Sequence, residues 1–453
     1  MAMLNLVGLR VIRNSKNAIK NHLENFAWSI PRNNRTTKLT NKTIMNTQKQ
    51  AKNSDFSMID TLAIRIRYPN FKVIIPQLFT PALIIKESAP APYNFMATPT
   101  AYGRNRFKKY TQNMTASDKK NSVYKPKLTA YQRFDSTDKE IYDLHLEFSV
   151  PKIIFGNSVR EVGEEHLGAL VGILKRQLWL MGIEVSAETL LKAIVVKAHF
   201  SKNIPLPHPL NSQDAIAGLY KADMGRGKDI NMREFRNGGT ALYFYATYYN
   251  VIFYDKLRDI ATPKNKAIDK DKLKSEWQLI KSSEFEQEIL RFEVRLAKQT
   301  KLNHFLSDLL NKQVKNITLE EIFKKEICQK ALLKTWGEIT NIPANQLAFK
   351  LGSSPEEVFD EMIKSLNPDQ KKKNHSLNKT LASFGLYTLI QHKGVRWIRN
   401  RIEKNWTDRS WSRLSGDIKE SATALRHIPN LSAVGDIKTA LDKFERYDWK
   451  TDF

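Results

Sequence analysis

The stretch Leu290-Arg291-Phe292-Glu293-Val294-Arg295-Leu296 alternates large apolar residues with charged ones. Successive side chains of a β-strand point to opposite faces. The pattern therefore predicts a strand that buries Phe292, Val294 and Leu296 and presents Arg291, Glu293 and Arg295 together on its other face. Three more segments behave alike. In LHLEF (144–148) the apolar residues alternate with His145 and Glu147. In VVKAHFS (195–201) Lys197 and His199 share a face, and in NVIFYDK (250–256) Ile252, Tyr254 and Lys256 do. MIDTLAIRIRYP (58–69) reads as a further strand, 240–256 as a hairpin, and 166–183 and 211–223 carry helical spacing. The expected fold is α+β: a largely antiparallel sheet with helices.

After about residue 305 the strand signals fade. Residues 318–336 and 354–366 have helical periodicity, the latter with a Ser354-Pro355-Glu356 start, and an all-helical C-terminal region is expected. Residues 101–126 are polar and predict a long loop. Residues 1–57 hold ten Lys and Arg against Glu24 and Asp55, and predict a disordered basic arm. Although the first thirty residues are loosely amphipathic, they lack the cleavage pattern of an organelle transit peptide. The organisation read from the sequence is an arm (1–57), an α+β domain (58–305) and a helical DNA-binding or accessory domain (306–453).

The 453 residues carry a formal net charge of +26 and are 41% apolar. An excess of that size attracts polyanions through phosphate neutralisation and counterion release. Lys and Arg are spread along the chain among aromatic residues, which points to nucleic acid. One cysteine, Cys328, excludes an intrachain disulfide or a cysteine-type zinc site and suits a reducing, cytoplasmic setting. No apolar run approaches the length of a membrane span.

If the four alternating strands neighbour one another, their polar faces merge into one surface of carboxylates, imidazoles, a phenol, guanidinium groups and lysines. Glu147 and Glu293, with His199 or His145, suit Mg²⁺ or Mn²⁺. Arginines Arg291 and Arg295 suit phosphate, and a tyrosine suits a covalent nucleophile. Taken singly, each segment is equally an amphipathic strand with a solvated face, and alternation does not choose among Tyr243, Tyr245, Tyr248, Tyr249 and Tyr254. Towards the C-terminus, Arg396, Trp397, Arg399, Arg401, Lys404, Trp406, Arg409 and Trp411 mix cations with aromatics as DNA binding requires.

The chain resembles the gene II replication proteins of filamentous phages and related phage and plasmid initiators. The resemblance runs through Met58-Ile59-Asp60 with Leu62 and Arg65. It continues in LHLEFSVPKIIFGNSVRE (144–161) at Glu147, Ser149, Pro151, Lys152, Gly156 and Asn157, then in NVIFYDK and in the Leu-Arg-Phe-Glu-x-Arg block at 290–295. It covers roughly residues 58–415. It implies a rolling-circle initiator: a metal-dependent, site-specific endonuclease in which Tyr254 attacks a phosphodiester, keeps the 5′ phosphate and later rejoins the strand. Lys256, Arg291 and Arg295 would hold phosphate or leaving group. Origin duplex and single strand would be its partners in the cytoplasm of a bacterial host, with host polymerase and helicase acting after it. Lys197 stands where the family usually has an acid; His199 on the same face is the candidate replacement. Lys197 also sustains the rival reading, a non-catalytic origin-binding or regulatory protein. A tyrosine recombinase is disfavoured, since no His-x-x-Arg motif precedes the tyrosine. A chain begun at Met58 is expected to fold and to bind DNA more weakly at low salt; loss of its circular dichroism spectrum would contradict the reading of 1–57 as a separate arm.

Overall fold

Alternation in the central segments is realised as one large antiparallel sheet. The computed structural model describes residues 58–447, apart from 76–78, 80–81, 86–107, 115–117, 119–123, 135–139, 226–227, 235–239, 262–287, 352–353, 367–376 and 407. The expected arm, 1–57, lies outside the described residues. The strands are β1 (Ile59–Arg67), β2 (Lys72–Val73), β3 (Ala82–Ile85), β4 (Lys108–Gln112), β5 (Lys127–Phe134), β6 (Glu140–Ser149), β7 (Ile183–Glu184), β8 (Ile194–Leu206), β9 (Asp229–Glu234), β10 (Thr240–Ala246), β11 (Tyr249–Asp255) and β12 (Glu288–Leu296). Ten of them form a sheet in the order β3-β4-β5-β6-β1-β8-β12-β11-β10-β9, while β2 pairs with β7. Every pairing of neighbours is antiparallel. The expected α+β class and the 240–256 hairpin are both present. β4 corrects the expected loop at 101–126: Lys-Lys-Tyr-Thr-Gln has no apolar alternation, and its pairing with β5 supplies what its own sequence does not signal.

The register decides which side chains meet. One rung runs Ser149–Thr61–His199–Arg295–Asn250–Tyr245–Asp229 across seven strands. Two residues further along, Ser201, Glu293, Ile252 and Tyr243 are opposite one another, followed by Asn203, Arg291, Tyr254 and Ala241. All of these lie on one face. The opposite face carries Leu62, Ile64, Leu146, Phe148, Phe200, Phe292, Val294, Phe253 and Phe244, all buried. Helices cover it, contributing Ile216 and Leu219 (Ser212–Tyr220), Phe305 and Leu306 (Gln299–Leu310), Leu332 and Trp336 (Lys325–Thr340), and Ile437 and Leu441 (Ser432–Lys443) to the same core.

The region after β12 is helical, as expected, but its helices divide between two cores. Those at 299–340 and 432–443 belong to the sheet core, so the expected boundary at 305/306 falls inside that core. A second core is built from Leu347, Val358, Met362, Ile390, Ile398, Ile418 and Leu425. Sequence periodicity marks the apolar face of each helix but not which partner it covers.

Phe253 stacks on Phe292 with ring centroids 4.7 Å apart, and Trp336 meets both rings edge-on. This aromatic trio fixes helix Lys325–Thr340 to the two strands that bear Tyr254 and Glu293. Phe292→Ala is expected to cost about 4 kcal/mol, measured by urea unfolding; a loss under about 1 kcal/mol would mean that the trio does not anchor the core.

Candidate active site

Asp60, His199 and Glu293 meet on the polar face, each offering a ligand atom within 4.8 Å of the others. His199 comes from β8 and Glu293 from β12, as the alternation requires. Asp60 was not expected. By simple alternation it would share the apolar face with Leu62, but the β1–β8 register shifts between Ile59 and Thr61. A bulge re-aims one side chain, and the Asp60 carboxylate reaches Arg291, whose Nη2 donates to its Oδ1 at 2.7 Å. A single-strand pattern does not reveal such a shift; the Met58-Ile59-Asp60 match was the only signal.

Two arginines hold the carboxylates. Arg295 donates from Nε and Nη2 to the two oxygens of Glu293, both at 2.9 Å. Arg291, 2% exposed, also donates to Ser201 Oγ (2.7 Å), the Ser158 carbonyl (2.9 Å) and Asn203 Oδ1 (3.4 Å). His199 Nδ1 lies 3.2 Å from Glu293 Oε1. Burial opposes the charge on Glu293, but Arg295 and the contact from His199 outweigh it and hold its pKa well below the ordinary value. Asp60 is likewise lowered: burial is outweighed, chiefly by Arg291. Each carboxylate has about four lone-pair positions, so the guanidinium contacts leave capacity for a cation.

Tyr254 stands directly opposite Arg291 on the neighbouring strand and is 8% exposed. Burial pushes its phenol well above the ordinary pKa, with Arg291 opposing and Glu293, Asp259 and Asp60 adding to the rise. Desolvation and three carboxylates thus outweigh the cationic neighbour, and the phenol is held neutral. Lys256 begins the next helix, with its Nζ 5.7 Å from the centre of the Tyr254 ring. Burial, and then Arg291, lower its pKa to about 8.

The loop after helix Val150–Phe155 closes this end of the site. Gly156 takes the left-handed conformation (φ 75°) that ends the helix. Asn157 Oδ1 then accepts the N–H groups of Val159 (3.1 Å) and Arg160 (3.3 Å). Ser158 is thereby presented to Lys256, which donates to its Oγ at 3.1 Å, and to Arg291. Glu161 fixes the loop from behind: it pairs with buried Lys202 at 2.9 Å and accepts the Tyr447 N–H at 2.8 Å.

The other expected ligands do not join this cluster. Glu147 pairs with Lys197 at 2.6 Å across the small Ala63, on the rung beyond His199. Lys197 is thus the ion-pair partner of Glu147. His145 lies a further rung away, opposite Arg65, with its ring 4.5 Å from that of Tyr131. Tyr249 faces the core, with its hydroxyl 3.1 Å from both Thr335 and Glu338.

Neither family models nor curated proteins nor solved structures contain a match to this chain. No described helix is long and apolar enough to cross a membrane.

Glu293 sustains the network only when ionised. A carboxylate whose folded pKa is depressed contributes stability above its unfolded value, here near 4.5, and loses it as pH falls through the folded value. Glu293→Gln should therefore cost about 3 kcal/mol at pH 7. That gap in urea stability should narrow as pH drops below 4.5; a gap independent of pH would contradict the ion-pair account.

Proposed function

We propose that the protein is a DNA-nicking and strand-rejoining enzyme of the rolling-circle initiator class, with Tyr254 as nucleophile. The observation that carries this reading is the convergence on one sheet face of a buried tyrosine, two arginines and a three-residue set, Asp60, His199 and Glu293, suited to a divalent cation. The net charge of +26 fits a phosphodiester substrate. The resemblance to gene II proteins, with its Tyr254-x-Lys256 and Leu-Arg-Phe-Glu-x-Arg segments, agrees with it.

The chemistry follows from the side chains. Tyr254 Oη bonds to phosphorus and the P–O3′ bond breaks, leaving a 5′-phosphotyrosine and a free 3′ hydroxyl. The phenol is neutral in the resting site, so its proton must leave during attack. Lys256, with a pKa of about 8, is the adjacent amine able to accept it and to pass it on to the departing 3′ oxygen, which leaves as the hydroxyl. Arg291, opposite Tyr254, offsets charge building on the phosphate. Mg²⁺ or Mn²⁺ at Asp60, His199 and Glu293 would polarise a phosphoryl oxygen. In the reverse step the 3′ hydroxyl attacks the phosphotyrosine and frees Tyr254. In a bacterial cytoplasm the first 3′ hydroxyl would serve a host polymerase.

One observation favours the alternative, a non-catalytic origin-binding protein: Arg295 already engages both oxygens of Glu293. Incubation with a random-sequence single-stranded oligonucleotide pool and Mn²⁺ separates the two. Nicking predicts a covalent adduct that Tyr254→Phe or EDTA abolishes while DNA binding persists. Binding with no adduct under any condition would support the alternative. Adduct formation should also rise between pH 7 and 9 with an inflection near 8 that Lys256→Gln removes; an unchanged inflection in that variant would exclude Lys256 as the proton acceptor.

A further inference from the structure

The rung that passes through His199 and Arg295 does not stop at the candidate site. It continues through Asn250 to Tyr245 on β10 and Asp229 on β9. Tyr245 is 37% exposed, and Tyr243 lies on the same face opposite Ile252. Three strand spacings separate β12 from β9, about 14 Å.

At the β9 edge the sheet meets helix Val395–Asn405. Arg396 anchors it: its guanidinium lies 2.8 Å from Asp223 and 3.7 Å from Asp229, and it donates to the carbonyls of Gly225 and Lys228. Arg399, 5% exposed, lies 2.5 Å from Asp223. These two arginines, expected to grip DNA, are instead engaged by the protein. With Val395 and Ile398 they leave the other side of the helix outward, where Trp397 is 41% exposed beneath Arg401, 5.5 Å from the ring centre. Lys404 is exposed on the same helix, and Trp406, at its end, is 64% exposed.

Exposed indoles flanked by cations that no carboxylate among the described residues pairs with are costly to leave in water and suit unpaired bases, which offer a ring face and a phosphate to each aromatic–cation pair. A duplex hides those faces. A single strand is also thin enough to reach a tyrosine that is 8% exposed. We infer that the strand held at Tyr254 continues over β10 past Tyr243 and Tyr245 and is gripped by base stacking on Trp397 and Trp406, with Arg401 and Lys404 on its phosphates. This inference rests on the nicking reading for its direction, but not for its binding chemistry. It makes the end of the sheet and this helix one single-strand track. Trp411 has no part in it, since it packs against the second core.

The test is fluorescence anisotropy of labelled twenty-residue oligothymidylate with the full-length protein. Trp397→Ala and Trp406→Ala should each weaken binding about tenfold. Trp397→Phe, which keeps a ring face, should lose far less. Arg401→Ala should reduce the slope of log affinity against log salt by about 0.7. Affinity for a twenty-base-pair duplex should stay within about twofold of wild type in both tryptophan variants, and their thermal midpoints should match wild type because both residues are at the surface. Unchanged oligothymidylate affinity in both tryptophan variants would overturn the track, as would an equal loss on duplex, which would assign the helix to double-stranded DNA. Covalent adduct is scored on the same samples against the random-sequence pool. Tryptophan-dependent binding without adduct contradicts the nicking reading alone, whereas adduct without that dependence contradicts the track alone.

Discussion

The buried guanidinium of Arg291 ties β1, β8, β12 and the loop after helix Val150–Phe155 into one rigid unit. It donates to Asp60, Ser201, Asn203 and the Ser158 carbonyl. Taking such an ion out of water costs several kcal/mol unless geometry and partners return it. Here burial opposes its charge, but Tyr254 once ionised, together with Asp60 and Glu293, outweighs burial and raises its pKa. The same atoms set the electrostatics of Tyr254, for which this arginine is the main cationic counterweight to burial and the neighbouring carboxylates. If Tyr254 is the nucleophile proposed above, a site that keeps its phenol neutral at rest and places an amine of pKa about 8 beside it would hold that nucleophile back until a phosphate enters.

Much of this face was legible from alternation alone. Leu290–Leu296, 144–148, 195–201 and 250–256 each give the correct inward and outward sets, and the sheet order brings β6, β8, β12 and β11 together with only β1 between them. What alternation does not carry is register. Glu147 and Glu293 share the polar face, yet the pairing of Ala63 with both Glu147 and Lys197 turns the first of them into a local ion pair. The bulge in β1 brings in Asp60, which simple counting assigns to the core side. Likewise, the motif Gly156-Asn157-Ser158 could be matched by resemblance, but its role depends on where the loop lands, against Arg291 and Lys256.

The C-terminal helices teach the same lesson about charge. Composition treats Arg396, Arg399 and Arg401 alike. Asp223, 2% exposed, claims the first two and leaves the third over Trp397. A cationic residue is available to a ligand only if the protein has not already neutralised it, and that depends on acids far away in sequence. The chain end is similar: Tyr447 reaches back to Glu161, the residue that also holds Lys202, so the terminal segment stabilises the loop that closes the Tyr254 end of the site.

The central claim is that the polar face acts through one tyrosine. Its most direct test is to recover protein covalently joined to DNA from a reaction with Mn²⁺ and a random-sequence single-stranded pool, digest both polymers and map the modified peptide by mass spectrometry. The account predicts a single phosphonucleotide-bearing peptide, with the mass shift on Tyr254. A shift on Tyr248, or on any residue off the polar face, would contradict it.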